Sequence, residues 1–139
     1  MIENFNNVIV LAPHTDDGEF GCGGTISKLI ESGATVYYVA FSSCEESIPD
    51  GLPADSLGKE VVEATKLLQI PREKLILLDF KVRKFPQYRQ EILEEMVKMN
   101  SELSPDLVLL PSANDTHQDH NVVSSEGFRA FKRTRILGY

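Results

Sequence analysis

The chain has 139 residues, enough for one domain and not two. Hydrophobic residues make up 42% and charged residues 25%, which excludes a collagen-like, low-complexity or wholly disordered chain. Twenty-one Asp+Glu against 14 Lys+Arg give a formal charge of -7, a balance that repels phosphate backbones and anionic lipid, so nucleic acid and membrane surfaces are excluded as expected partners.

The apolar runs at 8–13 and 36–41 are too short to span a bilayer, and the first seven residues lack the basic and long apolar segments of a signal peptide. Two cysteines, Cys22 and Cys44, form no framework or metal-ligand pair, so the expected setting is reducing and cytoplasmic, with both thiols as small apolar filler.

Along the chain, strand and helix patterns alternate. Residues 8–12 form a continuous apolar run led by three β-branched residues, the mark of a strand buried on both faces. Residues 21–32 read as a helix through Ile26, Leu29 and Ile30, stopped by Gly33; Gly21, Gly23 and Gly24 let it pack close to the sheet. A second strand covers 35–41. Residues 42–55 hold Ser, Glu, Pro and Gly without periodicity and predict a long loop, a feature more often functional than idle. A helix is predicted over 56–69, closed by Pro71, then a strand at 75–78. Pro86 opens a third helix whose Ile92, Met96, Met99 and Leu103 sit at core spacing, and Pro105 ends it. A strand at 106–110, a helix at 121–132 and a strand from Arg135 to the end complete the series. Arg129, Lys132, Arg133 and Arg135 read as a solvated helix end.

Strand and helix in strict alternation imply an α/β, doubly wound, mostly parallel sheet of about five strands with helices on both faces. In the common order 3-2-1-4-5, the first and fourth strands meet at the topological switch point, and ligands bind beyond their carboxyl ends. Two polar clusters fall there. The first spans 12–19 and holds His14, Thr15, Asp16, Asp17, Gly18 and Glu19; the second spans 111–120 and ends in His117, Gln118, Asp119 and His120. All three histidines of the chain lie in these segments. Two imidazoles and a carboxylate meeting at one point make a three-ligand metal site with open positions, and adjacent carboxylates such as Asp16 and Asp17 diverge, so one is left free to act as a base.

His14, Asp16, Asp17 and Glu19, followed by His117, Asp119 and His120, resemble the paired motifs of the PIG-L/LmbE-like de-N-acetylases, over the whole chain. The resemblance implies a Rossmann-like fold and a zinc-dependent hydrolase that removes acetyl groups from N-acetylglucosamine-type sugars or their conjugates. It further implies His14, Asp17 and His120 as zinc ligands, ferrous iron being compatible with the same donors. Asp16 becomes the general base, and His117 either stabilises the oxyanion or protonates the leaving amine. Asp119 becomes the carboxylate that orients a histidine. Asp79 becomes a substrate contact; Ser43, read from its place on the rim after the second strand, is a further candidate contact to a sugar hydroxyl.

The sequence also departs from that pattern. Thr15 stands where the family has Pro, Gly18 precedes Glu19, and Lys59 is the nearest basic residue to the substrate-contacting Arg of the second helix. Family members continue past the fifth strand, so residues 1–139 are expected to form a single domain lacking the usual C-terminal part, or one whose edge a second subunit covers in a homo-oligomer. The alternatives are a non-catalytic metal- or sugar-binding module, and a nucleotide-binding domain, the latter disfavoured because the glycine spacing is wrong and carboxylates occupy the phosphate position.

Overall fold

The computed structural model describes residues 4–139; Met1 to Glu3, on which part of the N-terminal reading rests, lie outside the described residues. Five strands, β1 (Asn7–Ala12), β2 (Thr35–Ala40), β3 (Leu75–Leu77), β4 (Leu107–Leu110) and β5 (Arg135–Gly138), pair in the order β3-β2-β1-β4-β5. Every pairing is parallel, with Val10 of β1 between Tyr38 of β2 and Leu109 of β4.

Parallel strands need covered faces, and the period-2 alternation of β1 supplies two apolar ones. Val8, Val10 and Ala12 join a core with Cys22, Ile26 and Leu29 of α1 (Asp17–Glu31) and Val61 of α2 (Ser56–Leu67). Ile9 and Leu11 join the opposite core, with Ile92, Met96 and Met99 of α3 (Arg89–Leu103) and Val122 and Val123 of α4 (Gln118–Ala130). Both methionines are core residues, as their spacing predicts. Removing a side chain such as Ile26 or Ile92 from water contributes roughly 1.5–3 kcal/mol. A constant right-handed crossover accounts for the division: the chain winds outward from β1 to β3 with α1 and α2 on one face, then returns to β4 and β5 with α3 and α4 on the other.

Element boundaries differ from the sequence pattern in ways that matter. α1 begins at Asp17, not at residue 21, and Cys22 (φ -143°, ψ 23°) separates its first turn from the longer run that carries the apolar periodicity. α4 begins at Gln118, not 121, which draws Asp119 and His120 into a helical first turn. Pro86 opens a short 3-10 turn, Phe85–Tyr88, and α3 follows it. The glycine cluster behaves unevenly. A side chain at Gly21 would run into the ring of Tyr139, but Gly23 and Gly24 face open space, so close packing explains only the first. Among the described residues, no helix is long and apolar enough to cross a membrane.

Candidate metal centre

β1 and β4 lie side by side and end together, so the turns that follow them meet. In the first turn, the His14 backbone N–H donates to Asp17 Oδ2 at 2.8 Å. The same oxygen lies 3.3 Å from His14 Nδ1 and 3.2 Å from His120 Nε2, and the two imidazole nitrogens are 3.4 Å apart. A tetrahedral ion with bonds of about 2.0–2.1 Å separates its ligand atoms by about 3.3 Å, so these donors fit a divalent metal without rearrangement.

Each outer imidazole nitrogen meets a carboxylate. His14 Nε2 is 2.9 Å from Asp119 Oδ2, and His120 Nδ1 is 2.8 Å from Asp115 Oδ2. Asp119 is fully buried and also accepts the backbone N–H groups of Arg83 (2.6 Å) and Phe85 (3.2 Å). An ionised carboxylate only accepts, so both rings carry a proton on the outer nitrogen, and in the neutral ring the remaining lone pair faces inward. His117 is close enough for one ring nitrogen of each of the three histidines to lie within 4.8 Å of the others. Its Nδ1, however, accepts the Asp119 backbone N–H at 3.1 Å, which caps α4. The proton of neutral His117 therefore sits on Nε2 as a donor.

The electrostatics follow this geometry. Burial opposes charge on His14, but hydrogen bonds and charges of Asp17 and Asp119 outweigh it and raise its pKa. Burial acts the same way on His120 and is likewise outweighed, by Asp17 and Asp115. Burial would keep Asp17 protonated; hydrogen bonds from His120 and His14 instead hold its pKa well below the ordinary carboxylate range. His117 is shifted down, by burial and then by the charges of His14 and His120, which keeps it neutral.

Beside the donors lies a pocket of about 240 Å³, walled by His14, Thr15, Asp16, Cys44, Ser47, Leu57, Val82, Arg83 and His117. Asp16 occupies the N-cap of α1 and its side chain is exposed, so it diverges from Asp17 as adjacent residues do. Arg83 has φ 66°, and its guanidinium reaches across to Ser47 Oγ at 3.4 Å. From the rim loop, Cys44 and Ser47 line the wall; Ser43 is half-buried and Asp79 exposed, and neither lines it. Lys59 pairs with Asp55 at 2.7 Å. Burial pushes the Cys22 thiol up to about 12 and raises that of Cys44, so both are protonated apolar filler.

Three contributors went unread in the sequence. Asp115 shares a loop with many small polar residues and has no motif spacing to mark it. Arg83 reaches the site because its backbone binds Asp119, a contact without a side-chain signature. Tyr38, fully buried in β2, accepts the Gly18 N–H at 3.0 Å and donates to the Glu19 carboxylate, which explains the Gly-Glu pair after Asp17. A Cβ at position 18 would lie 2.6 Å from the Tyr38 ring.

Comparison with known proteins gives consistent relatives. The diacetylchitobiose deacetylase of Thermococcus kodakarensis is 31% identical over 154 aligned residues, spanning 97% of this chain and 57% of that protein. The N,N'-diacetylchitobiose deacetylase of Pyrococcus horikoshii, solved with an inhibitor, superposes with a TM-score of 0.80 at 25% identity, covering 94% of this chain and 51% of that one. A conserved protein of Thermus thermophilus gives 0.71 at 26% identity, covering 95% and 60%. The chain thus spans about half the length of these two chitobiose deacetylases. Residues 9–131 match the profile of the PIG-L family, GlcNAc-PI de-N-acetylase, and the chain belongs to that family.

Proposed function

We propose that this chain carries the centre of a metal-dependent hydrolase that removes an acetyl group from the amide nitrogen of an N-acetylglucosamine-type sugar or conjugate. The observation that carries the reading is the convergence of His14 Nδ1, Asp17 Oδ2 and His120 Nε2 at 3.2–3.4 Å beside a pocket walled by Asp16 and His117. Family membership and the two chitobiose deacetylases among the relatives support the substrate class.

His14, Asp17 and His120 would hold zinc, and the same two-nitrogen, one-oxygen set also suits ferrous iron. When bound, the cation supplies Lewis acidity, acidifying water and drawing electron density from the amide carbonyl. The remaining work falls to side chains. Asp16, facing the pocket, takes the proton of the attacking water and returns it to the departing nitrogen. His117, neutral with Nε2 protonated, donates a hydrogen bond to the oxygen on which negative charge develops. That protonation state makes it a better donor to an oxyanion than a source of the amine proton. Arg83 lies on the pocket wall, away from the second helix where the family carries its arginine, and offers hydrogen bonds to sugar hydroxyls. Buried, unpaired Cys22 and Cys44 suit a reducing, cytoplasmic setting.

The test is zinc content beside turnover of N,N'-diacetylchitobiose and other N-acetylglucosamine conjugates. Asp16→Ala is expected to keep its zinc and lose about 10²–10⁴-fold in kcat. Unchanged turnover in that variant refutes the base assignment. Zinc binding without turnover of any acetylated sugar by the wild type supports the non-catalytic module instead.

A further inference from the structure

We infer that Asp115 is a positioning residue of the metal centre, a single carboxylate that sets the ring of His120 and the backbone of His117 together. The inference rests on the metal-centre reading above and adds a residue to it.

Asp115 Oδ2 lies 2.8 Å from His120 Nδ1, and Asp115 Oδ1 accepts the His117 backbone N–H at 2.9 Å. Because the carboxylate offers only lone pairs, His120 must present a proton at Nδ1, and when the ring is neutral its lone pair is on Nε2. That nitrogen is the one 3.2 Å from Asp17 Oδ2 and 3.4 Å from His14 Nδ1. Without the carboxylate, the neutral ring is free to carry its proton on Nε2, where it faces the cation site and blocks it. The partner carboxylate, Asp119, is committed to His14, Arg83 and Phe85 and leaves His120 to Asp115.

The turn has a second, independent lock. Asn121 Nδ2 donates to the carbonyls of Asp115 (2.7 Å) and His117 (2.9 Å), holding the loop backbone without touching an imidazole. The role of the carboxylate is therefore separable from that of the loop. Asp115→Asn keeps the shape and removes the charge; Asn121→Ala loosens the backbone and keeps the carboxylate.

The experiment measures zinc dissociation constants by chelator competition for the wild type and both variants, together with imidazole ¹⁵N shifts of the zinc-free proteins at a pH high enough to leave the rings neutral. Asp115→Asn is expected to weaken zinc about 10–100-fold and to shift His120 from pure Nδ1–H to a tautomer mixture, with the circular dichroism spectrum unchanged. Asn121→Ala is expected to stay within about threefold of wild type, since the carboxylate–imidazole pair persists. Wild-type zinc affinity in Asp115→Asn overturns this inference alone, because Asp16→Ala tests the hydrolase reading independently. An Nε2–H tautomer at His120 in the wild type overturns it too, and that measurement needs no variant to fold. Equal zinc loss in both variants with His120 still Nδ1–H transfers the role to loop rigidity. A wild-type chain that takes up no zinc removes both readings.

Discussion

The two turns that meet at the centre are held by different forces. The turn after β1 is fixed from below by packing: Gly18 rests against the fully buried Tyr38 ring, whose hydroxyl bridges the Gly18 N–H and the Glu19 carboxylate. The turn after β4 is fixed from within by polar side chains, Asp115 and Asn121, on a segment open to solvent. Packing tolerates no added volume, and a polar net tolerates no missing partner. One site thus has two failure modes, and substitutions can separate them.

The largest effect is expected at the packed turn. Gly18→Ala places a methyl 2.6 Å from a ring that cannot yield, and should destabilise the protein by about 1–3 kcal/mol in urea unfolding. If volume is the cause, Gly18→Ala should cost little more once Tyr38→Leu has been made; full additivity of the two would break the packing account. Tyr38→Phe keeps the ring and removes the hydroxyl, leaving the Gly18 N–H short of a partner. About 1–2 kcal/mol is expected, and a loss below the error of the melt would show that the hydroxyl is idle. At the polar turn, Asn121→Ala removes two hydrogen bonds to loop carbonyls that are only partly buried. Its expected cost is smaller, about 0.5–1 kcal/mol, with faster amide exchange confined to residues 115–121.

The same contrast governs how much the sequence disclosed. Sheet order, helix faces and the meeting of the two histidine clusters were legible because they follow from hydrophobic period and connection rules. Both helix starts near the centre were misread, because their first turns carry polar motif residues instead of apolar periodicity. α4 is capped by a histidine ring, outside the usual capping set, and α1 has no side-chain cap at all. His14, Asp17 and His120 were placed through the family motif, and the structure brings their donor atoms together. Asp115 and Tyr38 act through partners that only the fold selects: Tyr38 stands 20 residues from Gly18 in the chain and against it in space. Asp79 and Ser43 shared a strand end with the pocket, but the loops turn other side chains, Arg83, Cys44 and Ser47, into its wall.

The smallest predicted effect couples the two turns directly, through Asp17, which contacts His14 in its own turn and His120 in the other. In chelator-treated protein, the folded pKa values of both histidines are raised above 6.5. The stability they contribute is therefore complete below about pH 6.5 and is lost as pH climbs through the raised values. The pKa of Asp17 is lowered from 3.8, so its contribution is present above about pH 4 and lost as pH falls through the depressed value. The Tm of the metal-free chain should accordingly be highest between about pH 4 and 6.5 and decline on both sides. Asp17→Asn should flatten the alkaline decline, because the histidines then lose the partner that favours their charged form. Zinc reverses the dependence, since the inner nitrogens must be free of protons to bind it, so affinity should rise with pH across the range where the metal-free Tm falls. A metal-free Tm that is flat from pH 5 to 8 would sever the proposed link between the turns and leave each held by its own forces alone.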